Sequence, residues 1–182
     1  MDAENWAEKK SLERLGQNFL KTVLELSGYK VMDYGIENHN QEIIALLKCS
    51  YKYPNNRQLL SMPDLVVIEP NTKESFIVEV KYRKFPKYFE VSSTNFALRY
   101  AMIKQYMEHW SNAVLVFVMN VKPFCICVDV SSIDWSQHFK GHAKLNGRHA
   151  EIWNFNYKYK TLNDRFPLVT ADNFRKALDI LL

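Results

Sequence analysis

Two short segments of the chain, residues 62–68 and 76–81, combine ionisable side chains with strand-like apolar residues. Asp64 stands at the start of an apolar run in the first segment, and Glu79 and Lys81 lie in the second. Successive side chains of a strand point to opposite faces, so Glu79 and Lys81 would share one face, about 6.7 Å apart. Two carboxylates and an ammonium group that converge could serve a magnesium-dependent hydrolase.

The residues between these segments predict a hairpin. Residues 69–73 read Glu-Pro-Asn-Thr-Lys, a turn-like composition between two apolar runs. The face opposite Glu79 carries the apolar side chains of Phe76, Val78 and Val80. A hairpin would bring Asp64 beside Glu79. The alternative is an ordinary hairpin in which Glu79 and Lys81 only face solvent.

The Pro-Asp pair at 63–64 with Glu79-x-Lys81 resembles the PD-(D/E)xK nuclease superfamily, which includes archaeal-type Holliday junction resolvases, many restriction endonucleases and RecB-like nucleases. The resemblance covers roughly residues 10–130. It implies an α/β, restriction-endonuclease-like core, in which helices flank a mixed central β-sheet. The implied order is one helix, three strands, a second helix and a further strand.

The resemblance also implies roles for individual residues. Asp64 and Glu79 would bind Mg²⁺, with Mn²⁺ as a substitute, and the main-chain carbonyl of Val80 would be a further ligand. Lys81 would be the catalytic lysine. The implied reaction is hydrolysis of phosphodiester bonds, most simply in DNA, with the metal activating water and neutralising charge on the phosphate.

An amphipathic helix is predicted over residues 5–27, followed by a strand over residues 29–34. Its apolar stripe comprises Leu12, Leu15, Phe19, Val23 and Leu26. By resemblance, Gln17 takes the position of the superfamily's helix glutamate, and Glu13 is the nearest carboxylate on that face. Either side chain could hold a water molecule at the metal, or both could be solvated residues of an amphipathic helix.

A second helix is predicted from an N-cap at Ser92 or Ser93 to about Trp110. Its predicted apolar stripe comprises Phe96, Tyr100, Ile103, Met107 and Trp110. RecB-like members carry a glutamine and a tyrosine on this helix, and on that resemblance Gln105 is a candidate to support the site. Strands are then predicted over residues 113–119 and 124–130, the first apolar on both faces.

Cationic and aromatic residues alternate in two segments near the candidate site, residues 81–89 and 51–57. Such mixtures can contact phosphates and stack on bases, or they can be solvated surface loops. The candidate nucleic-acid contacts are Lys52, Arg57, Arg83, Lys84 and Lys87. Residues 51–57 are predicted as an exposed loop, and residues 42–48 as either a helical turn or a strand.

The composition fits one packed domain over residues 1–182, with a nuclease-like core over about 10–130 and a C-terminal extension over 131–182. Hydrophobic residues make up 47% of the chain, and the formal charge of +4 permits nucleic-acid binding without identifying it. In the extension we predict a loop with a short helix over residues 133–147, an edge strand over 150–157, and a closing helix over 171–182 capped by Thr170.

The cysteine and histidine pattern indicates neither a disulfide framework nor a zinc site. The chain has 3 cysteines, and Cys125 and Cys127 share one face of a predicted strand. His138, His142 and His149 lack the cysteines or the HExxH frame of zinc sites.

No apolar run reaches the roughly 18 residues that span a bilayer. With no signal pattern at residues 1–5, we expect a soluble, cytoplasmic protein.

Three functions remain open at this level. The first is a Mg²⁺-dependent nuclease that acts on nucleic acid. The second is a module of the same fold that binds or assembles without catalysis, because the glutamate expected at Gln17 is missing. The third is an interaction protein that uses its aromatic C-terminal region, and a homodimer is compatible with the first or the third. The sequence does not choose between DNA and RNA, or between ends and junctions.

Overall fold

The computed structural model of the chain describes residues 3–36, 41–88, 97–133, 138–145, 148–155 and 159–181. Its helices are α1 (Ala3–Leu26), α2 (Gln41–Cys49), α3 (Pro54–Leu60), α4 (Tyr100–His109), α5 (Leu162–Arg165) and α6 (Ala171–Leu181). Its strands are β1 (Lys30–Asp33), β2 (Leu65–Ile68), β3 (Ser75–Arg83), β4 (Ala97–Arg99), β5 (Val114–Met119), β6 (Cys125–Asp129), β7 (His138–Leu145), β8 (Arg148–Phe155) and β9 (Lys160–Thr161).

The central element is a six-stranded mixed sheet in the order β1-β2-β3-β5-β6-β9. Strands β3 and β5 pair in parallel, and the other neighbours pair antiparallel. The connection between β3 and β5 contains α4, as a parallel pair requires a crossover. A separate three-stranded sheet has the order β4-β8-β7. The predicted α/β class with a mixed, helix-flanked sheet is therefore confirmed.

Helices cover both faces of the central sheet because β5 is apolar on both faces. Val114, Val116 and Val118 join a core cluster that includes residues of α1 and α6. Leu115, Phe117 and Met119 join a second cluster with Tyr106 and Trp110, at the end of α4 and just beyond it. Each fully buried side chain of this size contributes about 1.5–3 kcal/mol to folding. The sheet is thus held between α1 and α6 on one side and α4 on the other.

The predicted hairpin is confirmed, with β2 and β3 paired antiparallel in the register Leu65 to Val78. Continuing that register by one residue sets Asp64 opposite Glu79. Phe76, Val78 and Val80 are buried in the cluster beneath α1, as the alternation predicts. Glu79 and Lys81 consequently project toward the opposite face, which α4 covers.

The predicted first helix is confirmed as α1, and a glycine ends it. Gly28 has a positive φ of 92°, its N–H donates to Glu25, and the N–H of Tyr29 donates to Leu24. This pair of hydrogen bonds is a Schellman motif, which favours glycine at the left-handed position. The predicted apolar stripe is partly wrong: Leu15 and Leu26 are 40% and 41% exposed, whereas Leu20 and Leu24 are fully buried.

The start of the second predicted helix is wrong. Residues 97–99 form β4, which pairs with β8, and α4 begins only at Tyr100. Ser92 and Ser93, its predicted caps, lie outside the described residues. The predicted stripe is wrong at Met107, which is 47% exposed, because the buried helix residue is the adjacent Tyr106.

Residues 41–60 are more helical than predicted. The uncertain segment 42–48 lies within α2, and the predicted loop over 51–57 ends where α3 begins at Pro54. Proline suits this position because the first helical N–H needs no intrahelical acceptor. The described helices include none that is both long and apolar enough to cross a membrane.

Predictions for the C-terminal extension were mixed. The predicted loop over residues 133–147 is wrong because residues 138–145 form β7, which pairs with β8. The predicted edge strand over 150–157 is a central strand, since β8 lies between β4 and β7. The closing helix is confirmed, and the hydroxyl of Thr170 caps it by accepting from the N–H of Asn173.

Candidate functional site

A polar cavity of about 190 Å³ lies where β2 begins, between the middle of β3, the middle of α1 and α4. Its walls include the three side chains singled out first in the sequence, Asp64, Glu79 and Lys81. The antiparallel register brings the two carboxylates together, and the two-residue spacing of Glu79 and Lys81 directs both into the same space. The structure therefore places all three residues at one point.

Asp64 is 5% exposed, and both of its carboxylate oxygens accept hydrogen bonds. Oδ1 accepts from Nε2 of Gln17 at 2.6 Å, and Oδ2 accepts from the backbone N–H of Val80 at 2.6 Å. One donor comes from α1 and the other from β3, so the orientation of the carboxylate depends on two separate elements. The predicted helix residue Gln17 thus lies in contact with the predicted metal ligand.

Gly16 accounts for how closely α1 approaches β3. A Cβ at this position would lie 3.3 Å from the Cβ of Tyr82, which is tighter than nearly all ordinary contacts. A side chain at this position would require Tyr82 or the helix to shift by a few tenths of an ångström. The close approach of α1 to β3 at Gly16 is next to Gln17, the residue that contacts Asp64.

Glu79 is 7% exposed, and its Oε1 accepts hydrogen bonds from two side chains. The ammonium group of Lys81 donates from within β3. The hydroxyl of Tyr106 donates from α4, at 2.8 Å. An ionised carboxylate in so little water requires such donors, and the cation lowers the cost of burying its charge.

The protonation of the groups around Glu79 follows from burial and charge. Burial is the largest single influence on Lys81 and disfavours its ammonium form, but the charge of Glu79, the weaker effects of Tyr106 and Asp64, and the hydrogen bond to Glu79 together outweigh it. The pKa of Lys81 is therefore raised. Burial, and then the negative charge of Glu79, raise the pKa of Tyr106 well above its usual value. Lys81 is consequently a cation and Tyr106 a neutral donor near pH 7.

Glu13 and Gln105, the remaining site candidates, line the cavity without holding the carboxylates in the same way. Glu13 is an exposed residue one helical turn before Gln17. Nε2 of Gln105 donates to the hydroxyl of Tyr51 at 2.7 Å. Gln105 therefore connects the cavity to the segment between α2 and α3.

Sequence reasoning missed the role of Tyr106. The signal was a tyrosine adjacent to Gln105 on a helix that covers the sheet, because a buried phenol requires an acceptor. The predicted apolar stripe ran through Met107 and therefore left Tyr106 out of the buried face. In the structure the buried residues are Tyr106 on α4 and Trp110 just after its end.

The predicted nucleic-acid contacts are only partly available to a ligand. Arg83 is half-buried, donates to the carbonyl of Tyr82, and lies 5.6 Å from the ring centroid of Phe117. Nζ of Lys84 is 3.9 Å from Oε1 of Glu8 on α1, and Lys87 is exposed.

The other two predicted contacts are Lys52, which lies just before α3, and Arg57, which lies within it. Nη1 of Arg57 donates to the carbonyl of Lys52 at 3.3 Å. Nζ of Lys52 lies 5.2 Å from the ring centroid of Tyr53. The predicted contacts therefore lie on two separate stretches of the chain, one at and beyond the end of β3 and one around the start of α3.

The donor set of the cavity fits a hard divalent cation. The side chains of its lining that could bind a metal through charge are carboxylates, and no cysteine or histidine contributes to its described lining. In the part of the chain that the structure describes, no three His, Cys, Asp or Glu side chains converge on one point. Mg²⁺ is commonly held by one or two carboxylates together with waters and substrate phosphates, so Asp64 and Glu79 suffice in number.

The cysteines lie away from this cavity. Cys125 and Cys127 are buried and free, and Cys49 is exposed and free. Burial raises the pKa of both Cys125 and Cys127, so these thiols are protonated. The side chains of the three clustered histidines lie outside the described residues.

A scan of the sequence against models of protein families finds no match, and a search of curated proteins finds no significant match.

Proposed function

We propose that this protein is a Mg²⁺-dependent nuclease of the restriction-endonuclease-like fold, which hydrolyses phosphodiester bonds in DNA. One observation carries the proposal: Asp64, Glu79 and Lys81 line a single polar cavity, and both carboxylates are almost completely buried. Burying two carboxylates on facing strands is costly unless hydrogen bonds and cations compensate their charge, and a bound divalent cation would add such compensation.

The arrangement of the core supports the same proposal. Helix α1 precedes the antiparallel strands β1, β2 and β3, and α4 then leads into β5, which is parallel to β3. Apart from α2 and α3, which stand between β1 and β2, and β4, which precedes α4, this order agrees with the one that the resemblance implies for a restriction-endonuclease-like core. Asp64 directly precedes the second strand of that order and Glu79 lies on the third, the strands on which the resemblance implies the metal site.

In this proposal the chain's own residues bind the metal, orient the two carboxylates and stabilise charge on the phosphate. Asp64 and Glu79 would hold Mg²⁺, which would supply positive charge for the scissile phosphate and lower the pKa of a water molecule. Gln17 orients Asp64 through Oδ1, and Tyr106 orients Glu79 through Oε1. The carbonyl of Val80 remains a proposed further ligand.

Lys81 would act through its charge. Its raised pKa keeps it protonated, so it is suited to orient the attacking water and to stabilise negative charge that develops on the phosphate. In the hydrolysis a water oxygen bonds to phosphorus, one phosphorus–oxygen ester bond breaks, and the leaving oxygen takes up a proton.

The direct test is cleavage of labelled DNA substrates, single-stranded, double-stranded and branched, with Mg²⁺ or Mn²⁺. We expect Asp64→Asn, Glu79→Gln and Lys81→Met each to reduce the cleavage rate at least about 100-fold. Glu69→Gln is the matched control, because Glu69 is a buried carboxylate of the same hairpin outside the cavity. Cleavage that persists in Asp64→Asn or Lys81→Met would reject the proposal.

A second candidate is a binding or assembly module with the same fold and no catalysis. The observation that favours it is the glutamine at position 17, where the resemblance implies a carboxylate, together with the hydrogen bonds that already engage Asp64. Calorimetric titration with Mn²⁺ separates the two functions. A nuclease requires metal binding that Asp64→Asn abolishes, whereas a decayed site shows none in the unsubstituted protein.

A further inference from the structure

The segment between α2 and α3 contacts a residue of the cavity wall. The hydroxyl of Tyr51 accepts a hydrogen bond from Gln105, which lines the cavity. At the other end of α3, residues 60–62 line the cavity directly. Oγ of Ser61 also accepts a hydrogen bond from Nε1 of Trp110 at 3.2 Å. Both ends of this part of the chain are therefore anchored beside the site.

Hydrogen bonds within the segment fix its conformation. The N–H of Tyr53 donates to the carbonyl of Ser50 at 3.1 Å, and Nδ2 of Asn56 donates to the same carbonyl at 3.1 Å. Arg57 reaches back to the carbonyl of Lys52. A segment held in this way can present its side chains at a small entropic cost on binding.

We call residues 51–53 the aromatic–cationic segment, because two exposed tyrosines flank a lysine there. Tyr51 is 46% exposed and Tyr53 is 54% exposed. The ammonium group of Lys52 lies over the ring of Tyr53. Aromatic faces and a cation side by side complement a nucleotide, which offers an aromatic base and a phosphate.

We infer that the aromatic–cationic segment binds an unpaired nucleotide of a single-stranded polynucleotide, next to the phosphate that enters the cavity. This inference rests on the proposed function and names its substrate class. Tyr53 stacks on the base, and Lys52 takes the adjacent phosphate. A base within a duplex is covered on both faces by its neighbours, so only an unpaired base can stack on a side chain.

Binding without cleavage tests the inference. The Asp64→Asn variant of the 182-residue chain is titrated, in EDTA, into a fluorescein-labelled oligothymidylate of about 12 nucleotides or a blunt duplex, and anisotropy is measured. We expect Tyr53→Ala to weaken single-strand binding about 5- to 100-fold, as the loss of one stacked base requires. Duplex binding should change less than about twofold. Tyr53→Phe keeps the ring and should retain the affinity.

Two further variants separate stacking from other causes. Tyr159→Ala removes a tyrosine that is 42% exposed beside β9, and it should leave single-strand binding unchanged. Lys52→Gln should make the plot of log affinity against log salt concentration less steep, by the amount expected for the loss of about one phosphate contact. Circular dichroism and thermal melting confirm that each variant is folded.

Several outcomes would overturn the inference. These are equal affinity of Tyr53→Ala and its Asp64→Asn parent for the single strand, an equal loss in Tyr159→Ala, or no single-strand binding at all. A failure of the proposed function looks different: the unsubstituted protein cleaves no substrate, while the anisotropy results still decide whether the segment binds single strands.

Discussion

The two ends of the β2–β3 hairpin both bury carboxylates, but the hydrogen-bond donors to these carboxylates come from different parts of the chain. At the turn, Glu69 accepts hydrogen bonds from the backbone N–H groups of Asn71 at 2.9 Å and Thr72 at 2.6 Å. Both donors lie within three residues of the acceptor. At the other end, Asp64 receives a donor from α1 that is 47 residues away in sequence, and Glu79 receives one from α4 that is 27 residues away.

The contrast shows that burial alone does not mark a functional carboxylate. Glu69 closes a turn: its backbone also pairs with Glu74 and Lys73 across the hairpin, and its hydrogen bonds to Thr72, then Asn71, lower the pKa of its carboxyl. Asp64 and Glu79 instead each accept at least one hydrogen bond from a helix that meets the hairpin only in the folded chain, although Lys81 on the same strand also donates to Glu79. Convergence from separate elements around a cavity distinguishes the candidate site from the turn.

The largest expected difference between the two ends of the hairpin is in metal binding. With Mn²⁺ at about 100 times its dissociation constant, we expect the free energy of unfolding to rise by about 2.7 kcal/mol. Glu69→Gln should show the same rise, whereas Glu79→Gln should show almost none because it removes a ligand. Denaturant unfolding with and without Mn²⁺ measures the effect. Equal stabilisation of both variants would place the metal elsewhere.

Removing the donor of α4 should have the next largest effect. Tyr106→Phe leaves a buried charged group with one hydrogen bond fewer, which we expect to lower the free energy of unfolding by about 2 kcal/mol. Tyr82→Phe is the control, since Tyr82 is a partly buried tyrosine of β3 whose hydroxyl makes no hydrogen bond within the described residues. Urea unfolding of both variants measures the difference. A loss no larger than that of the control would mean that Glu79 does not depend on Tyr106.

The hairpin could be predicted from the sequence because its determinants act over a few residues. Alternation sorts Phe76 and Val78 from Glu79, and the turn residues between the strands fix their pairing. The end of α1 was equally local, since Gly28 supplies the left-handed conformation that closes the helix. These features require no knowledge of distant contacts.

The second sheet could not be predicted in the same way. Ala97 pairs with Asn154, so the strand character of residues 97–99 depends on a partner far along the chain. Tyr106 was missed for a related reason: once α4 begins at Tyr100 and packs on β5, the helix turns Met107 outward. The convergence of Gln17 and Tyr106 on the two carboxylates is a property of tertiary packing, which periodicity does not encode.

At the turn, acid should reveal the local role of Glu69. Its folded-state pKa lies below the usual value of 4.5, so its stabilising contribution is present above that value. The contribution is lost as the pH falls through the folded-state pKa. Between pH 7 and pH 3 the unsubstituted protein should therefore lose more stability than Glu69→Gln, as urea unfolding at several pH values would show. Identical pH dependence in the two proteins would mean that the Glu69 carboxylate does not stabilise the turn.

The smallest expected effect concerns the backbone conformation of the hairpin turn. Lys73 in the same turn has a φ of 64°, a left-handed conformation that costs an ordinary side chain about 1–2 kcal/mol. Lys73→Gly removes that cost but adds freedom to the unfolded chain, so we expect a net gain of about 0.5 kcal/mol. Lys73→Ala keeps the strain and should gain nothing in the same unfolding measurement. Because the turn is local, neither variant should alter Mn²⁺ affinity, and a changed affinity would show that the two ends of the hairpin are coupled.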